Sequence, residues 1–283
     1  MSKKVAIVSD STSGLTVELM QEYNIHPSYL IIIFGTDSYQ EFKEVDPAKF
    51  IELSKAQAEL PTTSQSSPGV TVEIYENLLK EGYEEIVHLT ISSGLSGSYQ
   101  SAVSAAAMVD ADKIHVFDTQ VVAYPQGALA IEAAKMANDG RSAVEILAQL
   151  DILRNNLGLV AAIDDMTNLK KGGRVSAIQA GLGSVLQVKP ILTMVDGSLA
   201  PLSKVRTFKK AIDFLVNAAV EANLDTTKDE IGVIHMENPE AAALIKEKVL
   251  VAYPGITVVE LPLSLTVSVH AGPGATAIGW IKR

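Results

Sequence analysis

Ile86-Val87-His88-Leu89-Thr90-Ile91-Ser92-Ser93-Gly94-Leu95-Ser96-Gly97-Ser98 passes from an apolar run into a loop of serines and glycines. Residues 86–90 have the length and the Val/Ile character of a strand buried on both faces. Beyond the loop, residues 101–108 carry apolar positions at 3.6-residue spacing, which predicts a helix. The alternation extends in both directions. Runs at 5–8, 30–34 and 114–117 predict further strands, and helical patterns at 15–23, 50–58, 70–79 and 128–137 separate and follow them, the last stopping near Gly140. Such alternation gives α/β architecture, a parallel sheet with helices on both faces.

A further helical pattern at 143–156 leads to a change of style near Gly158. The chain of 283 residues exceeds the usual size of one core. Two domains are therefore expected, 1–158 and 159–283, the second of mixed α/β type. In the second, an apolar run at 159–163 precedes a Gly-rich helix at 176–183. Asp196-Gly197, between apolar runs 191–195 and 198–202, is a hairpin signal. A helix at 209–222, a strand at 231–235, a helix at 239–252 and strands at 257–261 and 276–281 complete the reading. Trp280, the one tryptophan, is expected to pack in this second half.

With 33 acidic against 23 basic residues the net charge is −10, which argues against a general nucleic-acid or anionic-membrane surface and allows at most transient membrane contact. There is no cysteine, so disulfides, thiolate catalysis and cysteine-ligated zinc are excluded. The uncharged stretches 86–109 and 261–281 are interrupted by Gly and hydroxyl residues, and neither reads as a membrane span. The opening residues have no long apolar region and run directly into a strand, which predicts a cytoplasmic protein without a signal peptide.

In an open parallel sheet, ligands settle beyond the C-terminal ends of the strands. Asp10-Ser11-Thr12-Ser13, residues 92–98 and Asp118-Thr119 all follow predicted strands. A second hydroxyl-rich loop, Pro61-Thr62-Thr63-Ser64-Gln65-Ser66-Ser67-Pro68, leads into a helix opened by proline. Hydroxyls and free backbone amides at helix starts bind carboxylate or phosphate oxygens. Taken singly, each such loop is more simply a set of caps and turns. Taken together, with an imidazole on a loop at His270-Ala271-Gly272-Pro273-Gly274, they form a candidate anion trap.

Asp10-Ser11-Thr12-Ser13, Thr63-Ser64-Gln65, Leu95-Ser96-Gly97-Ser98-Tyr99-Gln100-Ser101, Lys171-Gly172-Gly173-Arg174, Val188-Lys189-Pro190-Ile191, Val205-Arg206-Thr207 and His270-Ala271-Gly272-Pro273-Gly274 occur in an order that resembles the DegV family over essentially the whole chain. The resemblance implies a two-domain α/β protein that buries a long-chain fatty acid between its domains. It implies further that the carboxylate is presented to a separate ATP-dependent fatty acid kinase subunit, which makes acyl phosphate, and that the chain has no catalysis and no cofactor of its own. Thr63 and Ser96 would hold the carboxylate with His270 in the network, supported by Thr62, Ser64, Ser93, Gly97 and Gly272. Arg174 and Arg206 would face the partner or the acyl-phosphate end. Ser66 stands where many members have proline. The Gly-rich segment 177–186 and the Ala- and Val-rich helices would supply the apolar wall.

A serine hydrolase is the competing reading. Gly94-Leu95-Ser96-Gly97-Ser98 follows a strand and opens a helix as a nucleophile elbow does, but Ser98 stands where G-x-S-x-G needs glycine. Its triad would take His270 with Asp164, Asp165 or Glu260 behind it. Lys170-Lys171-Gly172-Gly173-Arg174 lacks the spacing of a nucleotide-binding P-loop and reads as a basic turn. The five histidines are scattered without metal-ligand spacing, and no metal site is expected. His88 and His115, lone histidines in strands, read as structural.

Overall fold

The computed structural model describes residues 3–57, 59–164, 166–174 and 188–283. The expected Gly-rich helix at 176–183, the wall segment 177–186 and Asp165 lie outside those residues.

The first sheet is parallel throughout, in the order β2 (Ile25–Ser28), β1 (Lys3–Asp10), β6 (Tyr83–Thr90), β7 (Ile114–Asp118). Alternate residues of β1 explain its two buried faces. Ala6 and Val8 pack with Tyr75 and Leu78 of α3 (Pro68–Lys80) and Ala105 of α4 (Ser98–Val109). Val5 and Ile7 join a core with α1 (Val17–Tyr23), α5 (Tyr124–Asn138) and α6 (Ala143–Arg154).

Residues 30–34 do not extend this sheet as expected. They form β3 (Ile31–Phe34), the centre of a small antiparallel sheet with β4 (Asp37–Gln40) and β5 (Thr62–Ser64). Only alternate residues, Ile32 and Phe34, are fully buried, and an apolar run alone does not distinguish that pattern from burial on both faces. The strand that takes the place beside β1 is Ile25-His26-Pro27-Ser28. It is an edge, where the missing N–H of Pro27 is tolerated. Helix α2 (Pro47–Ala56) follows β4.

The second sheet is mixed, in the order β10 (Ser198–Val205), β9 (Lys189–Val195), β8 (Leu157–Ala162), β13 (Thr276–Ile281), β11 (Glu230–His235), β12 (Thr257–Pro262). Only β11 and β12 run parallel to each other. Asp196 and Gly197 join β9 to β10 with φ of 48° and 75°, the left-handed pair of the expected two-residue hairpin. One face is covered by α8 (Phe208–Glu221) and α9 (Pro239–Ala252), and Trp280 packs there.

The inner face meets the N-terminal half. Tyr124, at the start of α5, lies flat on Gly232 of β11, where any Cβ would overlap its ring, and its hydroxyl donates to Glu230 Oε1 at 2.6 Å. One apolar cluster consequently runs from Ile7 and Val87 through Leu129 to Leu192, Ile234 and Ala277. Two short helices complete the fold around the crevice, α7 (Thr167–Lys171) and α10 (Leu265–Ala271).

Candidate functional site

Three elements bring hydroxyls and an imidazole together. Pairing of Thr63 with Ile32 fixes β5 on the small sheet. The loop after β6 is closed by Ser96 N–H donating to Ser92 O at 3.2 Å, and α4 starts at Ser98 after Gly97, which supplies no side-chain cap. Ser96 Oγ accepts from Ser98 N–H at 3.2 Å and shares a 2.9 Å hydrogen bond with Ser98 Oγ. Helix α10 is capped by Ser264 and turns Thr266, Val267, His270 and Ala271 towards one cavity. His270 is thus the last-turn residue of a helix, not a loop residue as expected. Its Nε2 lies 2.8 Å from Thr63 Oγ1.

The Lys171-Gly172-Gly173-Arg174 turn links these pieces. A Cβ at Gly172 would overlap His270 Nδ1, so glycine is required there for space, while Gly173 takes the left-handed φ of 73°. Arg174 then donates from Nε to Leu95 O at 3.2 Å and from Nη1 to Gly172 O. One guanidinium therefore braces the Ser96 loop against the His270 side. Burial first, and the charge of Arg174 second, lower the His270 pKa to about 4, so the imidazole is neutral near pH 7. Its Nδ1 is buried with no hydrogen-bond partner among the described residues.

Thr63, Ser96, Arg174 and His270 line a cavity whose remaining wall is mostly aliphatic. Ile91, Leu95 and Val122 come from the first sheet's loops, Leu159, Leu192, Leu199, Ile234 and Ala277 from the second sheet, and Leu263 and Val267 from the α10 region. A second opening, about 360 Å³, meets it at His270 and is lined by Thr62, Asn168 and Lys171 among others. A polar cluster beside a long apolar wall suits an amphiphile whose acidic head takes hydrogen bonds and whose tail is aliphatic.

The sequence model of a family described as "Uncharacterised protein, DegV family" matches residues 4–283. The chain belongs to the DegV family. DegV relatives include Protein DegV of Bacillus subtilis, 35% identical over 277 residues that cover 98% of each chain. A DegV domain-containing protein of Halalkalibacterium halodurans is 34% identical with the same coverage. The crystal structure of B. subtilis DegV, described as a fatty acid binding protein, superposes with a TM-score of 0.89 at 34% identity over 100% of both chains. A DegV family protein from Thermus thermophilus, described by its fatty acid binding, gives 0.91 at 27% identity over 99% of this chain and 100% of that one. The parallel N-terminal sheet and mixed C-terminal sheet are the DegV fold.

Within this DegV chain the expected residues separate into groups. Thr63, Ser96 and His270 share the cavity, and Thr62 lies at the opening beside it. Gly97 packs against the Gln65 side chain, and Gly272 takes a φ of 77° beside Asn168. Ser93 is not on the cavity wall; its Oγ donates to Asp118 Oδ2 at 2.5 Å and its N–H to Asp118 Oδ1 at 3.1 Å, at the end of β7. Ser64 Oγ donates to Gln65 O and is not on the cavity wall. Arg174 lines the cavity itself, rather than only an outer surface, and Arg206 is exposed beyond the end of β10.

Two contributors were not singled out in the sequence. Thr266 lines the cavity, and Glu41 holds the start of α10: Leu265 N–H, Thr266 N–H and Thr266 Oγ–H all donate to its carboxylate, as does Ser11 Oγ–H at 2.8 Å. No local pattern marks Glu41, whose partners lie 30 residues before it and 224 or 225 residues after it. The arrangement a serine hydrolase needs is not present among the described residues. His270 Nε2 faces Thr63 instead of Ser96, Glu260 pairs with His235 and Asp164 with Lys189. No group of three potential metal ligands occurs among them, and none of their helices is long and apolar enough to cross a membrane. His88 accepts or donates to Tyr75 at 2.7 Å and His115 pairs with Glu85 at 3.1 Å, in keeping with structural roles.

Proposed function

We propose that this DegV protein binds a long-chain fatty acid between an N-terminal domain, 1–158, and a C-terminal domain, 159–283, and presents its carboxylate to a separate ATP-dependent kinase subunit. The observation that carries the reading is the cavity's division into one cluster of donors and a long aliphatic wall. The fatty acid binding described for the B. subtilis and T. thermophilus relatives supports it.

Burying roughly 14 methylenes at about 0.8 kcal/mol each supplies on the order of 11 kcal/mol, enough for tight binding after the cost of association. The carboxylate takes hydrogen bonds from Thr63 and Ser96. His270 Nε2–H donates to Thr63 Oγ1, which frees the Thr63 proton for the ligand, and Arg174 supplies the balancing charge. The opening lined by Thr62 and Lys171 is where a kinase reaches the head group, and Arg206 is a contact for that partner. A carboxylate oxygen attacks the γ-phosphorus of ATP, the bond to ADP breaks, and acyl phosphate forms. The chain is carrier and substrate support, without catalysis of its own, in a cytoplasmic setting.

Native mass spectrometry of freshly purified protein, followed by organic extraction, tests the reading. A free fatty acid near one per chain is expected. An empty protein that also refuses added fatty acid would overturn it.

A further inference from the structure

Beside the Ser96 loop, at Ser98 and the end of β6, lies a small cavity of about 10 Å³, room for one water molecule. It is lined by Asp10, Ser28, Ser66, His88, Thr90 and Ser98, with Leu30 and three small residues completing the wall. Two of these side chains bring buried polar atoms without a hydrogen-bond partner among the described residues, His88 Nε2 and Thr90 Oγ1. His88 is 2% exposed and Thr90 is fully buried. An unmade hydrogen bond on such an atom costs about 1–3 kcal/mol, so two facing the same cavity indicate an occupant.

The direction of the hydrogen bonds follows from Tyr75. Its hydroxyl is buried, and its one partner among the described residues is His88 Nδ1, 2.7 Å away. Donation by the phenol keeps its buried proton paired, whereas acceptance would leave that proton without a partner; the donating arrangement places the His88 proton on Nε2, on the cavity side. Burial lowers the His88 pKa to about 3, so the ring is neutral and has one N–H only. A donor N–H facing inwards rejects a cation. Asp10, the one carboxylate on the wall, already accepts from Thr12, Gln126 and the Ile91 amide.

We propose that this cavity is a built site for one water, which accepts from His88 Nε2–H, contacts Thr90 Oγ1 and donates to Ser98 Oγ, so that a line of donors ends on the Ser96 hydroxyl. Ser98 Oγ–H then donates to Ser96 Oγ at 2.9 Å, alongside Ser98 N–H at 3.2 Å. With two donors on its oxygen, Ser96 directs its own proton outwards to the carboxylate. Every donor from Tyr75 to Ser96 points the same way, and each polarises the next. His88, Thr90 and Ser98 are positioning residues for Ser96. The last link rests on the fatty-acid reading; the water site does not.

A high-resolution crystal structure, nitrogen NMR of His88 and palmitate titration test the proposal together. One water peak within hydrogen-bond distance of His88 Nε2 and Thr90 Oγ1, and a proton on Nε2, are expected. Ser98→Ala should lower palmitate affinity about three- to tenfold. In the wild type palmitate should move the His88 Nε2 resonance, and in S98A it should not. An empty cavity, or a proton on Nδ1, overturns the site. Unchanged palmitate affinity in S98A overturns the relay. If the wild type holds the water and the expected tautomer yet binds no palmitate, the site stands and the fatty-acid reading falls.

Discussion

His270 Nε2 and Thr63 Oγ1, 207 residues apart in the chain, meet at 2.8 Å across the junction of the small antiparallel sheet and α10. Each orients the other. Thr63→Val keeps the shape of the side chain, removes the hydroxyl and leaves the imidazole without its partner. Fatty-acid affinity should fall by about 1–3 kcal/mol, and the folded state should survive. Calorimetric titration against the wild type measures it, and equal affinities would remove Thr63 from the head-group site.

Arg174 touches both walls of the same junction, through Leu95 O and Gly172 O, and its charge helps depress the His270 pKa. In Arg174→Ala the imidazole pKa should rise from about 4 towards the usual value, since the burial that remains acts alone. Lipid affinity should fall as well, because the arginine lines the cavity. Proton NMR titration of the His270 ring follows the first effect, and a pKa that stays put would place the guanidinium elsewhere in solution.

His270 also links stability to pH. Its folded-state pKa of about 4 lies below the 6.5 of an exposed histidine, so between those values the unfolded chain binds the extra proton. The contribution is fully present above pH 6.5 and is lost as pH falls towards 4. Removing it in His270→Gln should flatten the rise in urea-unfolding stability over that window by on the order of 2–3 kcal/mol. The wild-type minus variant difference isolates this group from Glu41, which works in the opposite sense. Burial raises the Glu41 pKa to about 7, so its contribution is present below pH 4.5 and lost as pH climbs through 7.

Glu41→Ala strips the acceptors from the Leu265 and Thr266 amides and from the hydroxyls of Ser11 and Thr266. Each orphaned buried donor costs about 1–3 kcal/mol. The variant should be markedly less stable, and hydrogen exchange should accelerate first at Leu265 and Thr266. Protection that remained at wild-type level there would mean that α10 is held by its packing alone.

Periodicity carried much of this fold. The Asp196-Gly197 hairpin, the β1–β6–β7 core of the parallel sheet and most of the longer helices follow from local pattern. What local pattern did not carry is instructive. Residues 30–34 look like any buried strand, and their membership of a separate sheet depends on Thr63 pairing with Ile32. Leu265-Thr266-Val267-Ser268-Val269 is poor helix material by propensity; it becomes a helix because Ser264 and Glu41 cap it from outside. Thr63, Ser96 and His270 could be gathered from motif order, whereas the inward position of Arg174 depends on the turn at Gly173 and on the reach of its side chain to Leu95.

The contact of Tyr124 with Gly232 joins the two sheets in one packed interior. Because the apolar cluster passes without interruption from Val87 to Ile234, neither half has a complete interior when separated from the other. A truncation at the junction would expose the inner face of whichever sheet it kept, and damage to one half should lower the melting point of the other as well.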